Sequence, residues 1–145
     1  MARNSCLAGI AADDVEMLRL VLRNSGTSAL AGVAALKVSE IGKCAPDLIV
    51  CDVDAIDVDP LELLRRLRFV LPDCMIAVYT GVTTREWARD CHLAGANCLL
   101  SKKSTATQLT AGLSGAIVTG CFTDPLLASR TAQHDTNRII NRTRG

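Results

Sequence analysis

The chain has 145 residues, enough for one domain with a real core, and 49% of them are hydrophobic while only 3% are aromatic. A core of Ala, Val, Leu and Ile with few rings suits an α/β protein whose parallel strands are buried on both faces. The formal net charge of +1 excludes a general field for nucleic acid or anionic lipid.

In chain order, the apolar run from Cys6 to Ala12 reads as a strand that ends in a loop at Asp13-Asp14. Val15 to Asn24 places Leu18, Val21 and Leu22 on one helical face, and Gly26 closes that helix. Ala29 to Leu36 reads as a second strand and Val38 to Cys44 as a short helix broken by Pro46. Leu48 to Val53 is the clearest buried strand. It runs into an acidic stretch with Asp52, Asp54, Asp57 and Asp59. Pro60 suits the first turn of a helix that would bury Leu61, Leu64 and Leu67. Met75 to Tyr79 is a fourth strand ending at Thr80-Gly81, and Thr83 with Glu86 resembles a capping box for a helix that stops at Gly95. Cys98 to Leu100 is a fifth strand, followed by Ser101-Lys102-Lys103. Thr105 and Gln108 cap a last helix with Leu109, Gly112, Leu113, Ala116 and Ile117 on its inner stripe. Beyond Gly120 the apolar rhythm fades into a polar tail carrying His134, Arg138, Arg142 and Arg144. The expected organisation is one domain over residues 5–120, with a linker and tail over 121–145.

Cysteines stand at positions 6, 44, 51, 74, 91, 98 and 121. The number is odd, no C-x-x-C occurs, and most lie in apolar runs, so they read as buried thiols of a reducing compartment rather than a zinc or redox site. Met1 to Ser5 is too short for a signal peptide, and no apolar stretch approaches the ~20 residues of a membrane helix. A cytoplasmic location is expected, where the sequon Asn141-Arg142-Thr143 has no consequence.

Strict alternation of strands and helices implies a doubly wound parallel sheet, whose functional groups gather at the carboxyl ends of the strands. Those ends carry Asp13 and Asp14, Asp52, Thr80 and Lys102. Singly, each has an ordinary role as a helix cap or a surface residue; together they point to a site. Converging carboxylates repel, and a hard cation such as magnesium relieves this. A nearby Lys and Thr suit the oxygens of a phosphoryl group. The set therefore suggests magnesium-assisted phosphoryl transfer to a carboxylate.

The same five residues, in this order, resemble the active-site quintet of two-component response-regulator receiver domains of the CheY-like kind. "LAGIAADD", "PDLIVCDVDAIDVDPLELLRRLR", "IAVYTG" and "GANCLLSKK" are similar to the family's strand ends, over about residues 6 to 118. The resemblance implies a flavodoxin-like five-stranded sheet of order 2-1-3-4-5. It implies Asp52 as phosphoacceptor, and Asp13, Asp14, Asp52 and the Asp54 carbonyl as holders of Mg2+. Thr80 and Lys102 would contact the phosphoryl group, with Gly81 leaving it room and Lys103 as a spare lysine should the register slip. The donor would be a sensor histidine kinase or phosphotransfer protein. The fourth helix, fifth strand and fifth helix would form the responsive face, through which a homodimer would form. Trp87 and His92 read as packing or surface residues.

Three features depart from the pattern. Ala55, Ile56 and Pro60 stand where the family often has Met, Pro and Gly, and Leu99 stands where the fifth strand usually carries an aromatic ring. "GAIVTGCFTDPLLASR" resembles the linker of NarL-like regulators, yet the remaining "TAQHDTNRIINRTRG" is too short for a LuxR-type helix-turn-helix, so no direct DNA binding is expected. Two further readings compete. One is an interaction module of the same fold that works without phosphate. The other is a phosphatase resembling the haloacid dehalogenases, from the D-x-D of "LIVCDVD". It is disfavoured because no acid pair follows Lys102.

Overall fold

A computed structural model describes residues 3–33, 38–54 and 56–127, except for the side chains of residues 3, 4, 28–33, 40 and 44. The polar tail with His134 and the sequon lies outside the described residues, as does the end of the expected second strand. The elements run β1 (Arg3–Ala8), α1 (Ala12–Asn24), β2 (Thr27–Val33), α2 (Val38–Cys44), β3 (Leu48–Asp52), α3 (Pro60–Val70), β4 (Met75–Thr80), α4 (Arg85–Leu93), β5 (Cys98–Ser101), α5 (Ala106–Thr119) and β6 (Phe122–Thr123). All strand pairings are parallel, in the order β2-β1-β3-β4-β5-β6. The expected order 2-1-3-4-5 is present, and the short β6 extends it at one edge.

The two faces of the sheet follow the twofold alternation of its side chains. Cys6, Ala8, Ile49, Cys51, Ile76, Val78 and Leu99 face α2, α3 and α4, meeting Ile41, Leu63, Leu64, Leu67, Ala88 and Cys91. Leu7, Leu48, Val50, Ala77, Tyr79, Cys98 and Leu100 face α1 and α5, meeting Leu18, Val21, Leu22, Leu109, Leu113 and Ala116. Near-continuous apolar strands are therefore needed, and small helical residues let the layers approach.

Several local expectations change. β1 stops at Ala8 because Gly9 takes a left-handed φ of 67° and turns the chain. Helix α1 then starts at Ala12, so Asp13 and Asp14 lie in its first turn rather than in a loop. In α3 the buried stripe is Leu63, Leu64 and Leu67, with Leu61 only partly covered. Thr84, not Thr83, caps α4, its hydroxyl accepting from the Trp87 amide. The capping box of Thr105 and Gln108 forms on α5 as read.

Two devices hold the edge that carries the fifth strand. The Arg68 guanidinium, at the end of α3, donates to the carbonyls of Leu71, Pro72, Cys74 and Gly95 and to the Asn97 side chain. One planar fork thus ties α3 to the start of β4 and to the turn before β5. Gly95 has φ 122°, and a Cβ there would lie 2.9 Å from Arg68 Cβ, so only glycine fits. On the other face Phe122 of β6 fills the space over Gly112, where a Cβ would come within 2.3 Å of the ring. Packing continues from β6 through Leu127, which is buried, so residues 122–127 join the packed body.

Five described cysteines, Cys6, Cys51, Cys74, Cys91 and Cys98, are buried free thiols, and Cys121 is exposed. Burial pushes the thiols of Cys74, Cys91 and Cys98 up to about 12. Brief alkylation of the native protein, read by peptide mass mapping, should label Cys121 and spare these five. Rapid labelling of Cys51 or Cys98 would contradict the packing. Gly112→Ala should lower thermal stability by about 1–2 kcal/mol, because overpacking against Phe122 outweighs the helix-propensity gain of about 1 kcal/mol. Adding Phe122→Val should recover most of the loss. An unchanged or higher Tm in Gly112→Ala alone would show that the ring does not sit there.

Candidate functional site

The parallel register sets the site. Asp52 ends β3 beside Tyr79 of β4, and Thr80 ends β4 beside Ser101 of β5, with Lys102 next along the chain. Three consecutive strands therefore deliver a carboxylate, a hydroxyl and an ammonium to one edge, where the backbone leaves the sheet.

Asp52 is 8% exposed, and its Oδ2 lies 2.7 Å from Lys102 Nζ. Its Oδ1 accepts from the Asp54 amide at 3.0 Å, which folds the loop after β3 back over the strand end. That fold turns the Asp54 side chain inward, leaving it 22% exposed. Thr80 Oγ1 donates to Asp54 Oδ1 at 2.6 Å, and the Gly81 amide donates to Asp54 Oδ2 at 2.7 Å. Lys102 Nζ reaches the same Oδ2 at 3.0 Å. The ammonium also stands 5.7 Å from the centroid of the buried Tyr79 ring. Thr80 Oγ1 in turn accepts from the Val82 amide at 3.1 Å and from the Trp87 indole at 3.2 Å.

Of the residues expected from sequence, the structure brings Asp52, Asp54, Thr80, Gly81 and Lys102 into one network. Asp54 enters through its side chain, whereas the resemblance implies a role for its carbonyl alone. Lys103 is exposed and its amide donates to Ser101 Oγ, so Lys102 is the lysine at the site. Asp13 is exposed and Asp14 half-buried on α1, and neither forms an ion pair with Lys102. The Asp14 charge is nonetheless felt at the edge. Burial chiefly, and then Asp14, raise the Tyr79 phenol above its ordinary range. Among the described residues no three His, Cys, Asp or Glu side chains converge to hold a metal ion. The donor types suit magnesium, but their arrangement here does not form a cage for it.

The sequence reads Trp87 and His92 as packing or surface residues; His92 has a packing role, whereas Trp87 also reaches the site. Trp87 touches the Thr80 hydroxyl from the first turn of α4, and its position seven residues after Thr80 was the available signal. His92 Nδ1 lies 2.8 Å from the Ala96 carbonyl and must donate to it, while Nε2 is hydrogen-bonded with Thr123 Oγ1 at 2.8 Å. His92 thus ties α4 to β6 and is a structural link. Leu99 is fully buried under the sheet, as a leucine there should be.

Burial works to raise the Asp54 carboxyl pKa, but the bonds from Thr80, Gly81 and Lys102 outweigh it and hold the group below the usual carboxylate range. Burial works to lower that of Lys102, and Asp52 and Asp54 outweigh it in the opposite direction. A depressed carboxyl adds stability above its unfolded pKa of about 3.9, and the contribution is lost as pH falls through the folded value. A raised lysine adds stability below its unfolded value, and that is lost as pH climbs through the folded one. In urea melts run from neutral pH down to about pH 2, Asp54→Asn should therefore show a shallower acid limb than the unaltered chain. Superimposable limbs would mean that Asp54 does not make these bonds in solution.

No family model matches the chain. It is 28% identical over 120 residues to the transcriptional regulatory protein UhpA of Escherichia coli (strain K12), a match covering 83% of this chain and 56% of that protein. The chain thus spans little more than half the length of that relative. Among solved structures, it superposes on a LuxR-family two-component response regulator from Aurantimonas sp. SI85-9A1 with a TM-score of 0.77 at 22% identity, covering 94% of this chain and 99% of that one. The isolated receiver (REC) domain of RcsB from Salmonella enterica serovar Typhimurium, in the presence of the phosphomimetic BeF3−, gives 0.77 at 15% identity, covering 89% and 98%. A CheY-like receiver domain protein from Methanospirillum hungatei JF-1 gives 0.66 at 16% identity, covering 81% and 95%. The chain thus has the receiver fold seen in these response regulators, and its sequence is similar to that of a transcriptional regulatory protein.

Proposed function

We propose that this domain accepts a phosphoryl group on Asp52 from a sensor histidine kinase or phosphotransfer protein in the cytoplasm, as the regulatory part of a transcriptional regulator. The observation that carries the proposal is the near-buried Asp52 carboxylate at the end of β3, paired with Lys102 at 2.7 Å, a lysine that also reaches Asp54, to which Thr80 and Gly81 donate. The RcsB receiver, seen with a phosphomimetic, supports the same reading by its fold.

In the reaction an Asp52 oxygen attacks phosphorus in line with the leaving group, forming an O–P bond as the donor's P–N or P–O bond breaks. The leaving group takes up a proton from solvent or from the donor. Lys102 neutralises charge on the transferred oxygens, and the Thr80 hydroxyl and Gly81 amide donate to them. When bound, magnesium would supply a positive charge that screens the carboxylates and the incoming group. Asp13, Asp14, Asp52 and the Asp54 carbonyl are the positions that resemble the family's set. The α4–β5–α5 face remains the proposed responsive surface and dimer contact. Trp87, on α4, is the aromatic side chain placed to sense Thr80, in place of the ring that Leu99 lacks.

Intact mass spectrometry after incubation with acetyl phosphate or phosphoramidate and magnesium should show one added phosphoryl group, absent in Asp52→Asn. Lys102→Met should slow the uptake by about 10²-fold, the usual cost of losing one oxyanion contact. A magnesium requirement, tested with a chelator, would place a cation among the acidic residues. Uptake unaffected by the chelator would leave Lys102 as the neutralising charge. No adduct under conditions that label an established receiver would end the phosphoacceptor reading.

A further inference from the structure

The donors that would receive a phosphoryl group are already in use. Thr80 Oγ1, the Gly81 amide and Lys102 Nζ all point at one carboxylate, Asp54, at 2.6, 2.7 and 3.0 Å. Two oxygens of a planar anion thus satisfy a hydroxyl, an amide and an ammonium, the donor set suited to a tetrahedral oxyanion. The Asp54 backbone amide is held by Asp52 Oδ1 at 3.0 Å, so the loop presents this carboxylate from beside the acceptor. Asp52, Asp54 and Lys102 together leave the edge with a net negative charge, which opposes a further anion. A Cβ at Gly81 would lie 3.5 Å from Asp54 Oδ2, so the carboxylate, rather than a wall of the site, fills the space next to that amide.

Building on the phosphoacceptor reading, we propose that Asp54 is a built-in occupant of the phosphoryl seat. It competes with any incoming oxyanion and holds Thr80 in an inward, ligand-like position without phosphate. As part of the same loop, it competes at the high effective concentration of a tethered ligand, and the apparent affinity for an external anion falls by the fraction of time the seat is free. Phosphoryl uptake therefore requires the Asp54 side chain to leave. Thr80 then exchanges one anionic acceptor for another, so its position changes little on phosphorylation.

The single tryptophan of the chain is Trp87, and its indole donates to the Thr80 hydroxyl at 3.2 Å, so its fluorescence reports the seat. The full chain and its Asp54→Ala and Asp54→Asn variants are titrated with inorganic phosphate while Trp87 emission is followed. Uptake of phosphoryl from phosphoramidate is timed by intact mass in parallel. Asp54→Ala is expected to bind phosphate saturably, at least about tenfold more tightly than the unaltered chain, and to be labelled at least about tenfold faster. Asp54→Asn, which keeps one acceptor but no charge, should fall between. It also serves as the test variant if thermal melts show Asp54→Ala unfolded, since its own gain must then exceed the unaltered chain's. Equal phosphate affinity in all three chains overturns the proposal even if Asp52 is labelled. A gain in phosphate affinity without any label on Asp52 supports the occupied seat while ending the phosphoacceptor reading.

Discussion

The site depends on one ammonium shared by two carboxylates. Lys102 stands 2.7 Å from Asp52 and 3.0 Å from Asp54, and without it the two carboxylates would repel each other across one loop. That geometry is possible only because β5 lies beside β4 in a register that carries Lys102 just past Thr80. At the far end of the sheet Arg68 gathers the carbonyls of the β4 and β5 approaches and so ties the two together.

The receiver fold and the particular wiring of its site are separate matters. A parallel sheet of this order delivers polar groups to one edge whatever their identity. Here an acid two residues after Asp52 has taken up the hydroxyl and amide that would otherwise face solvent or ligand. The aromatic contact to Thr80 comes from α4 through Trp87, while the β5 position that the resemblance implied for a ring holds the fully buried Leu99. The site is thus joined to α4 by an indole hydrogen bond rather than by a ring on β5.

Past α5 the chain does not simply depart. Gly120 takes φ 90°, and the Phe122 amide reaches the Asn97 carbonyl while the Asp124 amide reaches that of Leu99. Buried Asp124 accepts from Ser104 Oγ at 2.6 Å and from the Ser101 amide, joining β6 to the segment that leads to Lys102. The described part of the segment resembling a regulator's linker, up to residue 127, is therefore packed against the elements on either side of Lys102, and through His92 it also touches α4.

The alternation of short apolar runs with amphipathic helices was enough to place nearly every element and the face each buries. These features arise from local periodicity and from the demand that a doubly covered sheet be apolar throughout. The identity of Asp52, Thr80 and Lys102 as one cluster was legible too, because strand ends in such a sheet must meet. Three other features depended on contacts far apart in sequence or on a single backbone angle. The two-residue β6 has no periodicity to read, and its place is set by Phe122 over Gly112. Asp13 and Asp14 read as a loop pair, but the left-handed Gly9 ended β1 early and moved them onto α1. Asp54 read as a supplier of a backbone carbonyl. Only the assembled edge, with three donors from β4 and the turns after β4 and β5 facing one loop, decided that its side chain fills the seat, because hydrogen-bond partners are chosen by proximity in space and not by spacing along the chain.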